Sequence, residues 1–421
     1  MWSRYKVQIS YEQGEKMKNK YSLSIWADNQ WIEDYSTWFV WGKENILCHF
    51  DSRTDDCELL TQIPDTLHSK FRLTPFCMKY HDDIYCMPGY GKSIWIYNTI
   101  SRKFDEIYIN GSDGVILNMR DFWEYENKIY VVSNGLGQIV EIDPVVKKIE
   151  NYYRLCNEGS ISKSVKVGTK IYGLFSEIGY VYQFDLKTKE IIMYEIPDIG
   201  RKFSTFCFDG KKFWLGGFRK EIYVWDKNTN NILTINGFPK EFGIYDFSKE
   251  TDGIADCITD EYKKSTFAYS TVVEEKVWFI PYCTNKIIYV NKHTYQLYVF
   301  EIDEERETKE SILERSTLGY KYLLNYVKDD RYIGIYSLKN QCILEIDSVE
   351  LKYEYKQFDY HISDIYVKEY ADLLNNIFYE GDVWSREICN RMIQMKDNNI
   401  HNIRSKSVGS DIYKKIAYDI E

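Results

Sequence analysis

The chain has 421 residues, 44% hydrophobic and 28% charged, a balance that excludes wholesale disorder. Its formal charge is -10, from 64 acidic and 54 basic residues, which argues against a nucleic-acid partner needing a basic face. The 38 Tyr and 11 Trp favour strands, whose pleated surfaces suit aromatic side chains, and only 7 Pro exclude a Pro-rich linker protein.

Residues 1–20 carry Arg4, Lys6, Glu12, Glu15, Lys16, Lys18 and Lys20, without the apolar core of a signal peptide. No run of about 18 apolar residues occurs, so no membrane span is expected and the chain reads as a cytoplasmic monomer. Within this N-terminal segment, residues 5–10 could supply a strand that closes a larger structure.

From residue 21 to 358 one pattern recurs seven times. A polar turn is followed by an apolar residue and then, in six copies, an aromatic: Phe39, Tyr85, Tyr130, Tyr172, Trp214 and Trp278, with Ile333 in the last. An Asp or Asn follows 12 to 14 positions later, at Asp51, Asn98, Asp143, Asp185, Asp226, Asn291 and Asp347. Asp and Asn suit a tight turn because their side chains accept hydrogen bonds from backbone amides two residues on. Runs such as KIYVV and QIVEI read as strands, with a further strand after the Asp and an apolar run before the polar turn. That makes four antiparallel strands per copy. Radial stacking of seven such sheets buries both faces of each, so the fold class is all-β, a seven-bladed β-propeller.

The segment FWLGGFRKEIYVWDKNTNNI, residues 213–232, resembles the Kelch repeat, with Gly216 and Gly217 in the diglycine position. Residues 127–152 are similar, and the resemblance covers roughly 21–358. It implies a Kelch-like propeller that recognises a protein or a glycan. Some Kelch propellers are copper oxidases with Tyr and His near the axis. Nothing in this chain places two His on inner strands, so no metal or other cofactor is expected.

Two inter-blade connections are enlarged, at 238–264 and 301–316. The second includes the run EIDEERETKE, which reads as a solvated loop. Beyond Phe358, Tyr370, Leu373, Leu374, Ile377 and Phe378 follow helical spacing, which predicts a helical C-terminal extension over 359–421. Its bland role is packing on the propeller; its functional one is docking to a partner.

Ten Cys lie scattered without metal-site spacing and read as reduced, buried thiols. Cys77 with Cys86, and Cys48 with Cys57, flank turns and would face each other as cross-strand disulfides if both hairpins are tight. No hydrolase, P-loop or zinc-protease motif is present. The acidic pairs Asp82-Asp83, Glu274-Glu275 and Asp329-Asp330 recur at one turn position, which favours turn chemistry over catalysis.

The loops between second and third strands vary in length and composition, whereas the hairpin turns repeat. Function concentrates on variable loops held by a rigid scaffold. The candidate ligand-binding residues are therefore Tyr90, Lys92, Asn134, Arg219, Tyr282 and Asn340, with no catalytic residue assigned. Two function classes remain open. One is a non-catalytic binding module for a protein or glycan. The alternative is a propeller enzyme (a lyase, epimerase or hydrolase acting on a carbohydrate) with carboxylates in the axial pocket.

Overall fold

The computed structural model describes residues 30–362, leaving out the stretches 65–73, 111–116, 156–160, 176–178, 198–202, 218–220, 243–266, 282–283 and 307–320 and a few shorter ones. Seven sheets form the blades of a propeller. The first contains β1 (Gln30–Glu33), β2 (Ser36–Trp41), β3 (Ile46–Asp51) and β4 (Asp56–Gln62). The second contains β5 (Phe76–Tyr80), β6 (Asp83–Met87), β7 (Ser93–Asn98) and β8 (Phe104–Tyr108). The third contains β9 (Asp121–Tyr125), β10 (Lys128–Ser133), β11 (Gln138–Asp143) and β12 (Lys148–Arg154). The fourth contains β13 (Ile161–Val167), β14 (Lys170–Phe175), β15 (Tyr180–Asp185) and β16 (Ile191–Glu195). The fifth contains β17 (Phe203–Phe208), β18 (Phe213–Gly217), β19 (Ile222–Asp226) and β20 (Asn231–Ile235). The sixth contains β21 (Phe267–Val273), β22 (Lys276–Pro281), β23 (Lys286–Asn291) and β24 (Leu297–Glu301). The seventh contains β25 (Tyr322–Lys328), β26 (Tyr332–Ser337), β27 (Cys342–Asp347) and β28 (Lys352–Lys356).

First strands of neighbouring blades touch one another, as β13 does with β17 and β17 with β21, so they lie innermost. Last strands such as β8 and β12 carry mostly exposed residues and form the rim. Each apolar cluster mixes two neighbouring blades: Ile96 packs with Ile129 and Val131, and Trp225 with Tyr172 and Leu174. The repeated aromatic register is the blade-to-blade core, since Phe39, Tyr85, Tyr130, Tyr172, Trp214, Trp278 and Ile333 are all buried.

All seven Asp or Asn residues cap their turns. Asp143 Oδ1 accepts from the amides of Val145 and Val146 at 2.8 and 3.0 Å. Asp347 Oδ1 accepts from those of Val349 and Glu350 at 2.9 and 3.0 Å. The other five bond an amide two or three residues on in the same way. The acidic pairs also serve turns, with Glu274, Asp329 and Asp330 at positive φ.

The ring closes from the C-terminal side. A short strand, β29 (Asp359–Ile362), pairs in parallel with β4, Asp359 opposite Asp56 and Ile362 opposite Leu59. The first sheet thus gains a fifth strand at its rim, and the chain remains extended where the sequence predicted the helical extension to begin. The rest of that extension and the N-terminal segment lie outside the described residues.

The cysteines Cys48, Cys57, Cys77, Cys86, Cys207 and Cys342 are all buried thiols, not disulfides. Cys77 and Cys86 do sit directly opposite each other, yet as thiols; Cys77 Sγ reaches Trp38 O at 3.2 Å. A register shift between Leu47 and Cys48 sets Cys48 opposite Leu59 and leaves Cys57 opposite Phe50.

Candidate functional site

Antiparallel order puts the β6–β7 and β10–β11 loops on one face together with every blade-to-blade connection. Tight turns occupy the other face. On the loop face, residues 117–119 lead from the second blade into the third and tie two loops together. The amides of Asn118 and Met119 donate to Gly89 O and Pro88 O, at 3.1 and 2.9 Å. Leu117 O accepts from the Gly135 amide and the Ser133 hydroxyl, both at 3.2 Å. This strap brings the loop bearing Tyr90 and Lys92 beside the loop bearing Asn134.

Asn134 is 2% exposed, and neither its amide nitrogen nor its amide oxygen has a hydrogen-bond partner. A buried amide left unmatched costs about 1–3 kcal/mol, so native structures rarely keep one without a reason. Tyr90 and Lys92 are half-buried on the loop that the strap ties to its own, and Lys92 O accepts the Ile109 amide at 3.1 Å.

Two residues past the strap, Asp121 opens β9 and is almost wholly buried. Its carboxylate meets Lys163 Nζ at 3.0 Å and accepts the Ser164 amide at 2.8 Å, both from β13 of the next blade. A bulge between Ile161 and Lys163 shapes that strand, and the same bulge recurs in β17, β21 and β25. Bulges at strand ends re-aim side chains. Four blades therefore present irregular innermost strand starts to the loop face. Sequence reading missed Asp121 and Lys163, because the innermost strand was the least regular part of each copy.

Asn340 lies elsewhere, on the seventh blade. Its side-chain amide donates to Glu305 Oε1 at 2.7 Å, which also accepts the Tyr355 hydroxyl at 3.0 Å. Lys321 Nζ lies 3.3 Å from Glu305 Oε2, with both side chains fully buried. The run EIDEERETKE is therefore not uniformly solvated, because Glu305 is drawn inward by three polar partners. Burial, followed by the Glu305 charge, pushes the Tyr355 phenol well above its usual range, and burial pushes the Cys342 thiol up to about 11. Asn340 is exposed, and its amide nitrogen also lies 3.3 Å from the Tyr355 hydroxyl. Arg219 and Tyr282 lie outside the described residues, so three of the six predicted residues share one seam.

His81 and His293 are exposed turn residues. Among the described residues no group of three or more His, Cys, Asp or Glu is placed to hold a metal ion. No helix among them is long and apolar enough to cross a membrane.

No family model and no curated protein matches the chain. Solved structures do. A streptogramin B lyase shares 14% identity at a TM-score of 0.54, covering 81% of this chain and 97% of that one. Virginiamycin B lyase from Staphylococcus aureus shares 13% at 0.53, covering 74% and 91%. A chain of the mitotic checkpoint complex shares 8% at 0.53, covering 85% and 97%. At these identities the likeness shows the fold, a seven-bladed β-propeller, which hosts enzymes and assembly subunits alike.

Proposed function

We propose that the protein is a non-catalytic binding module of Kelch-like type, and that the seam bearing Tyr90, Lys92 and Asn134 holds a segment of a partner protein. The observation that carries this reading is the unmatched Asn134 amide. A side-chain amide offers donor and acceptor side by side, the complement of one peptide unit, and a partner backbone laid there would satisfy both. Tyr90 would supply an aromatic flank, the residue type that anchors interfaces. The Kelch-like reading is supported by Gly216 at the end of β18. A Cβ there would come within 3.0 Å of the Phe267 ring and 3.1 Å of Phe279, so this position of the diglycine keeps the blades close.

Asn134→Leu tests the proposal, since it replaces the amide with an apolar group of similar size. Stability should stay level or rise, because the unmatched groups are gone. Binding to a partner captured by the wild-type protein should fall about tenfold or more. A variant that loses stability while still binding would make Asn134 a packing residue and defeat the proposal.

A further inference from the structure

On the opposite, tight-turn face, neighbouring blades are stitched by lysines. In the seam between second and third blades, Lys147 Nζ reaches Asp105 at 2.7 Å and Asp83 at 2.9 Å. In the next seam, Lys189 lies 4.3 Å above the Tyr130 ring and 3.4 Å from Glu141, which sits opposite Tyr130 in the ladder. In these two seams a carboxylate of the preceding blade meets the turn lysine of the following one.

The seam between fourth and fifth blades is built differently, since Asn230 takes the turn position of Lys147 and Lys189. The residue opposite Tyr172 is Gln183, where the preceding blade has Glu141. Its side-chain oxygen is taken by the hydroxyls of Tyr172 and Tyr194, at 2.8 and 3.2 Å. Lys227 reaches the same two rings, at 5.8 and 5.2 Å, without a carboxylate. Beside it opens a cleft of about 440 Å³, whose lining includes Tyr172, Phe208, Phe213, Asp226, Lys211, Lys212 and Lys227. Lys212 Nζ donates to the Tyr295 hydroxyl at 2.9 Å. The nearby Asp209 is engaged by the Lys211 and Lys212 amides and the Trp214 indole, each at 2.7 Å.

We infer that this cleft binds a small organic anion, its charged group between Lys211 and Lys227 and its apolar part on Phe208 and Phe213. The ligand adds negative charge to a lining in which three lysines face one carboxylate, Asp226. The volume falls within the range of small-molecule sites, and three cations over aromatic walls select an anion with a ring or chain attached. The site lies on the face opposite Asn134 and does not depend on the loop-face proposal.

Calorimetric titration of the full chain with phenyl phosphate at low salt tests it. Wild type should bind with a Kd of about 1 mM or tighter. The double variant K211Q/K227Q should weaken binding about tenfold or more. Q183E should do the same while melting as wild type does, because it installs the internal carboxylate of the neighbouring seam. Asn134→Leu should leave this titration unchanged. Absence of binding to wild type at about 10 mM phenyl phosphate would overturn the inference, as would equal affinity in wild type, K211Q/K227Q and Q183E.

Discussion

Lys321 and Glu305 form an ion pair at 3.3 Å with neither side chain open to solvent. Taking two charges out of water is repaid only when geometry is good and remaining groups are bonded, a condition that Asn340, from the β26–β27 turn, and Tyr355, from β28, help meet at Glu305 Oε1. Removing Glu305 takes a counter-ion from the buried Lys321 charge. Glu305→Ala should therefore lower the unfolding free energy by about 3–5 kcal/mol in a denaturant titration. Asn340→Ala, which removes one hydrogen bond of several, should cost about 1 kcal/mol. Equal and small effects would show that the pair is solvated in solution.

Trp214 tests the aromatic register. It is fully buried, its indole donates to Asp209 Oδ2 at 2.7 Å, and its ring lies 5.9 Å from Tyr295 of the next blade. Trp214→Ala should cost about 3–5 kcal/mol, measured by chemical denaturation. A loss below about 1 kcal/mol would show that the register faces solvent.

Gly173 lies on β14 where a Cβ would stand 2.0 Å from the Tyr182 ring, and that ring is fully buried with its hydroxyl 2.9 Å from Ser164 Oγ. Gly173→Ala should destabilise by about 1–3 kcal/mol through overpacking. In a double-mutant cycle with Tyr182→Leu, the two losses should fall short of additive, since the smaller side chain leaves room for the methyl.

The turn carboxylates set an acid limit. Hydrogen bonds from Arg331, at 2.5 and 3.0 Å, hold the Asp347 carboxyl at about 2, below its ordinary 3.8. The bond from Lys128, then the Val146 amide, hold Asp143 at about 2. A depressed folded-state pKa contributes stability that is full above about pH 4 and is lost as pH falls toward about 2. The urea midpoint of the wild type should drop across that window, and its advantage over Asp347→Asn should shrink with it. An advantage that stays constant from pH 5 to about 2 would contradict the assignment.

The blades were legible because their cues are local. An Asp that caps a turn and an aromatic at fixed spacing sit within about 14 residues of each other, and seven copies repeat them. The closing strand was not legible, since Asp359–Ile362 is strand only through its pairing with Asp56–Leu59, some 300 residues away. The burial of Glu305 was hidden for the same reason: its partners Lys321, Asn340 and Tyr355 come from later in the chain, and a charged run reads as solvated until they arrive. At the loop face, loop variability pointed to Asn134 and Tyr90 as separate loop residues, and the strap at 117–119 that ties their loops together carried no cue. Variability also pointed to Asn340, whose bond to Glu305 depends on a residue 35 positions earlier.

Binding at the Asn134 seam is the central claim, and paired affinity capture from a lysate of the protein's own source tests it most directly. Wild type, Asn134→Leu and the opposite-face double variant K211Q/K227Q would each be immobilised, and eluted proteins quantified by mass spectrometry. The account predicts at least one protein retained by wild type and by K211Q/K227Q and depleted about tenfold on Asn134→Leu. Retention of every captured protein by Asn134→Leu, at wild-type levels and with unchanged stability, would contradict it.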